Sequence, residues 1–305
     1  MTKHQHLDDH DFSETIVFDF TTRLPGPYAC FLLQEMGFKV YKIESERSPD
    51  PFNDPIKRDL FFHWYQNINR GKEIVSIESI LNLQSLNKNK TVLVLHAFSP
   101  HHPFYKMIEN LKQSLSRLII LNLQHSRPWH DLNFYSVLEE NLPSPPPLPF
   151  AGILFSHKIA QAFIKIWSQF HFFKTSFLVE SSLNMETEIE KVFTTFKRPD
   201  FLKNKPALHL GDYICYRIYP LKNGLLYLAA VEPKYWQNFL NIFDQPLDLN
   251  AFTPVDSSEG QTLAQFFLNL STHDLEKILD KKSALHSTKE SKTESIDCCL
   301  AWHAL

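Results

Sequence analysis

The stretch from Thr15 to Glu44 constrains the fold more than any other part of the chain. It opens with the apolar run TIVFDF, which is typical of a buried strand, and continues into a Pro-Gly-Pro turn and apolar residues at helical spacing. Gly37 is placed to end that helix, and a second apolar strand follows it. Because a strand–helix–strand unit closes with parallel strands and a right-handed crossover, the pattern predicts an α/β protein.

The turn of this unit is a candidate ligand-binding position. Ligands of open α/β sheets bind beyond the carboxyl ends of the strands, where this turn would lie. We therefore predict that Leu24 and Pro25 form the lip of a ligand site. A tight turn with a purely structural role is the alternative, and it explains the same residues equally well.

Strands continue to alternate with helices after the opening unit. Further strands are predicted at residues 74–77, 91–95 and 118–121, with helices at 104–114 and 159–172. This alternation predicts a doubly wound, Rossmann-like parallel sheet. The large domain that contains it is expected at residues 14–185, after a flexible tail at residues 1–13.

A change of pattern predicts a second, smaller domain of the α+β class at residues 186–282. Two strand-like runs flank Asn223 and Gly224, a dipeptide that is a strong hairpin signal, and a helix begins after Glu232. Beyond this domain the chain becomes rich in Ser, Lys, Glu and Thr. We expect residues 283–305 to be a disordered or truncated tail.

Composition excludes several classes of function. The 305 residues carry a formal net charge of −3, which gives no field that favours nucleic acid, and no apolar run is long enough to cross a bilayer. We therefore expect neither a nucleic-acid nor a membrane partner. The four cysteines have no metal-type spacing and the N-terminus carries no secretory signal, so we expect no metal site and a cytoplasmic location.

Two segments of the chain resemble the class III CoA-transferase family, which includes the alpha-methylacyl-CoA racemases. The first is the opening unit, with VFDF, PGPY and LLQEMGFKVYKIE, and the second is the hairpin with the Glu232-Pro233 pair after it. The resemblance spans about Thr15 to about Leu279, with a weaker middle. Family members run on past this point and return to the large domain, so the resemblance implies a divergent and C-terminally shortened member.

The resemblance implies an acyl-CoA thioester as substrate or ligand, no covalently bound cofactor and an interlocked homodimer. It places the CoA contacts on the opening lip and on four further residues, namely Arg47, Lys72, Phe98 and Gln124. Gln124 and Ser99 stand where family members carry cations. Because each lost cation removes a charge-assisted hydrogen bond of about 1.5–3 kcal/mol, we expect weakened affinity for CoA.

The resemblance also assigns groups for proton transfer. His130 falls on the histidine base of the racemases and Glu232 on their glutamate, while Asp131 is expected to orient the turn around His130. Without the resemblance, His130 would be an ordinary loop histidine, one of 15 in the chain. We predict that this protein transfers an α-proton of an acyl-CoA thioester.

One departure from the family is decisive for mechanism. Gly152 stands where the family has the aspartate that carries the acyl group in transferases, and no Asp or Glu lies between Asn141 and Lys158. Ser156 and His157 are polar residues nearby, either incidental or able to take over proton transfer. The acyl-aspartyl route is excluded because glycine has no side chain. An impaired or inactive homologue that serves as a binding or partner subunit is the alternative function.

Overall fold

A computed structural model describes most of the chain, which forms two compact units. The described residues are 12, 14–45, 49–53, 58–80, 90–124, 149–170, 175–196, 205–246, 248–286 and 300–304. The first unit spans residues 1–197 and the second residues 198–305. This boundary differs from the predicted one at 185/186 because Met185 and Ile189 are buried in the core of the first unit.

Six parallel strands form the sheet of the first unit. They are β1 (Thr15–Asp19), β2 (Lys39–Glu44), β3 (Glu73–Ser76), β4 (Thr91–His96), β5 (Arg117–Gln124) and β6 (Phe177–Asn184). Their order is β3-β2-β1-β4-β5-β6, and every neighbouring pair is parallel. The predicted α/β class with a doubly wound, Rossmann-like sheet is confirmed.

The described helices of this unit are α1 (Pro25–Glu35), α2 (Arg58–Ile68), α3 (Tyr105–Ser114), α4 (Phe150–Phe170) and α5 (Met185–Phe196). Alternate strand residues face opposite sides of the sheet. Val17 and Leu93 pack with residues of α1 and α4 on one side, whereas Phe18 and Val94 pack with α3 on the other. None of the described helices has the length and apolar composition that a bilayer crossing requires.

The opening unit folds as its sequence predicts. Pro25 occupies the first turn of α1, where its missing N–H costs nothing. The helix ends at Glu35, and Gly37 follows with a φ of +101°, a left-handed conformation that favours glycine. In register, Val17 of β1 lies between Val40 of β2 and Leu93 of β4.

The second unit is a three-stranded antiparallel sheet covered by helices. Its strands are β7 (Tyr216–Leu221), β8 (Gly224–Ala229) and β9 (Leu300–Ala304), and its described helices are α6 (Pro233–Ile242), α7 (Ser258–Leu268) and α8 (Thr272–His286). Tyr219, Phe239 and Phe267 are buried together at its centre. The hairpin predicted around Asn223 and Gly224 is the β7–β8 pair.

The end of the chain differs from its prediction. Residues 283–305 were expected to form a disordered or truncated tail, yet α8 continues to His286 and β9 pairs with β8. The physical reason is an alternation of apolar residues, since Leu300 and Trp302 both pack against the core of this unit. A five-residue strand after a polar stretch gives too short a pattern to stand out in the sequence.

Candidate functional site

The parallel sheet has one position where its connections reverse direction. From β1 the chain adds β2 and β3 on one side and then β4, β5 and β6 on the other. In sheets of this kind the ligand crevice lies outside the carboxyl ends of the two central strands. Here those ends are β1 and β4, joined at their tips by a hydrogen bond of 2.9 Å from the N–H of Phe20 to the carbonyl oxygen of Leu95.

The predicted lip lies at this edge of the sheet. Gly26 is required there, because a Cβ atom at this position would lie 2.0 Å from the hydroxyl oxygen of Thr21. Leu24 is buried, with 6% of its surface exposed, whereas Pro25 is partly exposed. Of the two residues predicted to contact a ligand, only Pro25 therefore offers surface to one.

Beneath the lip lies a cluster of four buried charges that comprises two aspartates and two lysines. The Nζ–oxygen distance is 3.1 Å between Lys72 and Asp19 and 3.4 Å between Lys42 and Asp50, and these side chains are at most 1% exposed. Burial by itself raises the pKa of Asp19, but Lys42, Lys72 and hydrogen bonds from Thr21 outweigh it and hold this pKa below its ordinary value. Burial of Asp19 is therefore compensated by the two lysine ammonium groups and by the hydrogen bonds from Thr21.

Lys72 was predicted to contact CoA, but its ammonium is bound within the protein. Its ammonium donates to Asp19 Oδ2 at 3.1 Å, to the carbonyl oxygen of Pro27 at 2.7 Å and to Asn69 Oδ1 at 2.9 Å. An ammonium has three N–H donors, so none remains for a phosphate. In this arrangement Lys72 is a structural cation that fastens the first turn of α1 to the end of β1.

The second ion pair holds the lip in a strained conformation. Arg23 has a φ of +66°, which is costly for a side-chain-bearing residue. Its backbone N–H donates to both carboxylate oxygens of Asp50 at 3.0 Å each, and Asp50 also accepts from the N–H of Phe52 at 2.9 Å. Lys42, which pairs with Asp50, also donates to the carbonyl oxygen of Thr21. Asp50 and Lys42 together thus form a clamp on the backbone of residues 21–23. The sequence identified the segment around Asp50 only as a loop and missed this clamp.

Aromatic rings gather on the β4 side of the crevice. The ring of Phe98 stacks on His102 at 4.4 Å and 9°, and it meets the ring of Phe20 edge-on at 5.9 Å. Phe98 is partly buried, and its neighbour Ala97 is exposed. The predicted CoA contact therefore lies at the switch point, with His102 covering one face of its ring.

The segment that carries Gly152 lies beside the lip helix. Gly152 is buried in the first turn of α4, and its carbonyl oxygen accepts from the hydroxyl of Ser156 at 2.8 Å. The ring of His157, on the next turn, meets the ring of Tyr28 of α1 edge-on at 6.1 Å. α4 contains no Asp or Glu, so it presents no carboxylate to this edge.

The remaining predicted residues are not brought together by the described structure. His130, Asp131 and Arg47 lie outside the described residues. Gln124 is exposed at the end of β5, where its Nε2 donates weakly to Ser182 Oγ at 3.4 Å. Glu232 belongs to the second unit, where it is the exposed N-cap of α6 and makes no capping bond through its side chain. Within the described ranges, His, Cys, Asp and Glu side chains form no group of three suited to a metal ion.

Comparison with known proteins relates this chain to solved structures only. No protein-family model and no curated protein matches it. A hypothetical protein (Rv3272) from Mycobacterium tuberculosis has a TM-score of 0.61 at 19% identity, over 89% of this chain and 83% of that one. A CAIB/BAIF family protein from Brucella suis has a TM-score of 0.61 at 15% identity, over 89% of this chain and 82% of that one. At these identities the likeness establishes that the chain shares their fold.

Proposed function

We propose that this protein binds an acyl-CoA thioester at the carboxyl edge of β1 and β4, as a divergent relative of the class III CoA-transferases, which are the CAIB/BAIF family. One observation carries the proposal. The residues that resemble the family's opening motif form the β1–α1–β2 unit at the switch point, in a fold shared with a CAIB/BAIF family protein. Pro25 and Phe98 are the described residues that we propose to contact the ligand there.

The proposed chemistry is removal and return of the α-proton, because the alternative within the family needs a carboxylate nucleophile. Gly152 supplies none, and the buried carboxylates of Asp19 and Asp50 are held by lysines. His130 is the proposed base, with Asp131 orienting it and Glu232 assisting. A base on one face of the α-carbon supports exchange of the proton but not efficient inversion, since a positioned general base contributes about 10²–10⁴-fold on each face.

A second candidate function is a non-catalytic binding or partner subunit. The contacts of Lys72 favour this second function. Lys72 is the one lysine that the resemblance assigns to CoA binding, and all three of its N–H donors are bound by acceptors of the protein itself. Gln124 and Ser99, which stand where the family has cations, point the same way. The interlocked homodimer remains a proposal for either function, and light scattering at micromolar concentration tests it.

Proton exchange in deuterated water separates the two functions. The protein is incubated with a 2-methylacyl-CoA of defined configuration, and mass spectrometry and chiral analysis follow deuterium uptake and inversion. We expect deuterium uptake to outrun inversion, and His130→Ala to abolish the uptake, whereas His63→Ala, an exposed histidine of α2, leaves it unchanged. Binding without exchange would support the non-catalytic function, and an acylated carboxylate trapped by hydroxylamine would overturn the proposed chemistry.

A further inference from the structure

A cavity of about 150 Å³ lies on the α3 side of the sheet, apart from the lip and α4. It is bounded by the end of β4, by the middle of β5 and β6 and by α3. Ile120 forms an apolar wall, and the other residues around it are polar. The polar lining includes His96, Lys112, Asn122, Glu180 and Ser182.

His96 brings a hydrogen-bond donor without a protein partner to this cavity. Its side chain is almost completely buried, with 2% of the residue exposed, and its Nδ1 accepts from the backbone N–H of Phe98 at 3.1 Å. The neutral ring therefore carries its proton on Nε2. Among the described residues, no acceptor is paired with that N–H. A donor that faces a cavity without a protein acceptor is left to water or to a ligand that enters the cavity.

The surroundings of His96 keep the ring neutral. The pKa of His96 is lowered to about 4, chiefly by burial and also by the nearby ammonium of Lys112, whose effect is larger than the opposite effect of Glu180. Because Nε2 carries the proton, it has no lone pair to offer a metal ion. The geometry therefore calls for an acceptor atom opposite Nε2.

The charges around the cavity disfavour an anion as that acceptor. The ammonium of Lys112 is bound by Glu109 at 2.7 Å and by Glu180 at 2.8 Å, so two carboxylates surround one cation. An added carboxylate would meet a net negative charge, whereas a neutral carbonyl would not. Asn122, Ser182 and the carboxylate of Glu180 supply acceptors for N–H or O–H groups of the same ligand.

We propose that this cavity is a binding site for a small uncharged carbonyl compound, with a primary amide as the simplest member of the class. The carbonyl oxygen accepts from Nε2–H of His96, and the amide N–H groups donate to the oxygen atoms of Glu180, Asn122 or Ser182. The site is independent of the acyl-CoA function proposed above, because it uses none of the same side chains for ligand contact.

Acetamide and acetate test this proposal as a pair of nearly equal shape and different charge. Each is titrated into protein labelled with ¹⁵N-histidine, and the ring resonances are followed by NMR. We expect acetamide to shift the Nε2–H signal of His96 to saturation and acetate to bind about tenfold or more weakly. His96→Phe should remove saturable binding, whereas His102→Phe, an exposed ring next to Phe98, should retain it.

The outcomes decide the proposal in either direction. Equal or tighter binding of acetate, an unsaturated acetamide titration, or unchanged binding in His96→Phe would overturn it. If His96→Phe does not fold, Asn122→Leu replaces it, with backbone resonances of β5 as the readout. Loss of acetamide binding in Asn122→Leu would then support the proposal, and full retention would contradict it.

Discussion

In the described part of the chain, buried polar groups are paired with one another on one side of the parallel sheet, whereas one donor is left unpaired on the other. On the β1–β2 side, Asp19, Lys42, Asp50 and Lys72 are enclosed and bound to one another. On the β4–β6 side, His96 is equally buried but keeps an unused donor beside a cavity. Charges that are fully satisfied by the protein fix the shape of the edge, whereas a donor left unsatisfied is available to a ligand.

Replacing one of the four buried charges on the β1–β2 side should have the largest effect on stability. We expect Lys72→Met to lower the free energy of unfolding by about 3–5 kcal/mol, because it leaves the carboxylate of Asp19 buried beside less positive charge. Urea denaturation measures the change. Lys39→Met is the matched control, since Lys39 pairs with Glu73 at 3.5 Å with side chains 52% and 58% exposed, and it should cost about 0–1 kcal/mol. Equal costs for the two variants would contradict the assignment of Lys72 as a structural cation.

On the β4–β6 side, the buried ring of His96 should make the stability of the protein depend on pH. The folded pKa of His96 is lowered to about 4 from an ordinary value of 6.5, so the unfolded chain binds more protons between these values. Stability is therefore lost as the pH falls from 6.5 towards 4. His96→Phe should flatten the slope by up to about 1.4 kcal/mol per pH unit, the value for one proton.

The control for this pH series is His102→Phe, because its ring is exposed in the loop that follows β4. That variant should keep the wild-type slope. The charges on the β1–β2 side act in a different pH range. Because the pKa of Asp19 is lowered, the stability that its carboxylate contributes is lost only as the pH falls below the ordinary value of 3.8. A slope between pH 6.5 and 4 that is unchanged in His96→Phe would contradict the burial of a neutral histidine at this position.

Relief of strain in the lip should give a smaller and opposite effect. Arg23→Gly removes the cost of a left-handed side-chain-bearing residue and keeps the N–H that binds Asp50. We expect the free energy of unfolding to rise by about 0.5–1 kcal/mol once the greater entropy of glycine in the unfolded chain is included. Thermal and urea unfolding measure the difference, with Arg23→Lys as a control that keeps the strain. A destabilised glycine variant would show that the arginine side chain has a structural role.

Local patterns predicted the sheet well because they depend on neighbours in sequence. The strand, the Pro-Gly-Pro turn and Gly37 are read within about thirty residues, and the parallel pairing of β1 with β2 follows from them. The role of Lys72 needed a partner 53 residues away, since its ammonium binds Asp19, and no local pattern indicates that pair. His96 was missed because its environment depends on side chains of α3, β5 and β6 that are distant in sequence.

The predicted proton-transfer residues are not tested by the described structure. The resemblance supplied His130 and Glu232 as proton-transfer groups, yet the first lies outside the described residues and the second lies in the other unit. Those two residues therefore remain predictions. By contrast, the absence of a carboxylate at Gly152 was evident from the sequence alone, because it depends only on the residues between Asn141 and Lys158.

Calorimetric titration of the protein with an acyl-CoA thioester tests the central claim most directly. We expect saturable binding to the wild-type protein and about tenfold or more weakening in Phe98→Ala, because stacking of a base on an aromatic ring is worth about 1–3 kcal/mol. Phe104→Ala removes a similarly packed aromatic ring of the same cluster and should leave the affinity unchanged. No heat of binding with the wild-type protein, or equal affinities in the two variants, would contradict a CoA site at the carboxyl edge of β1 and β4.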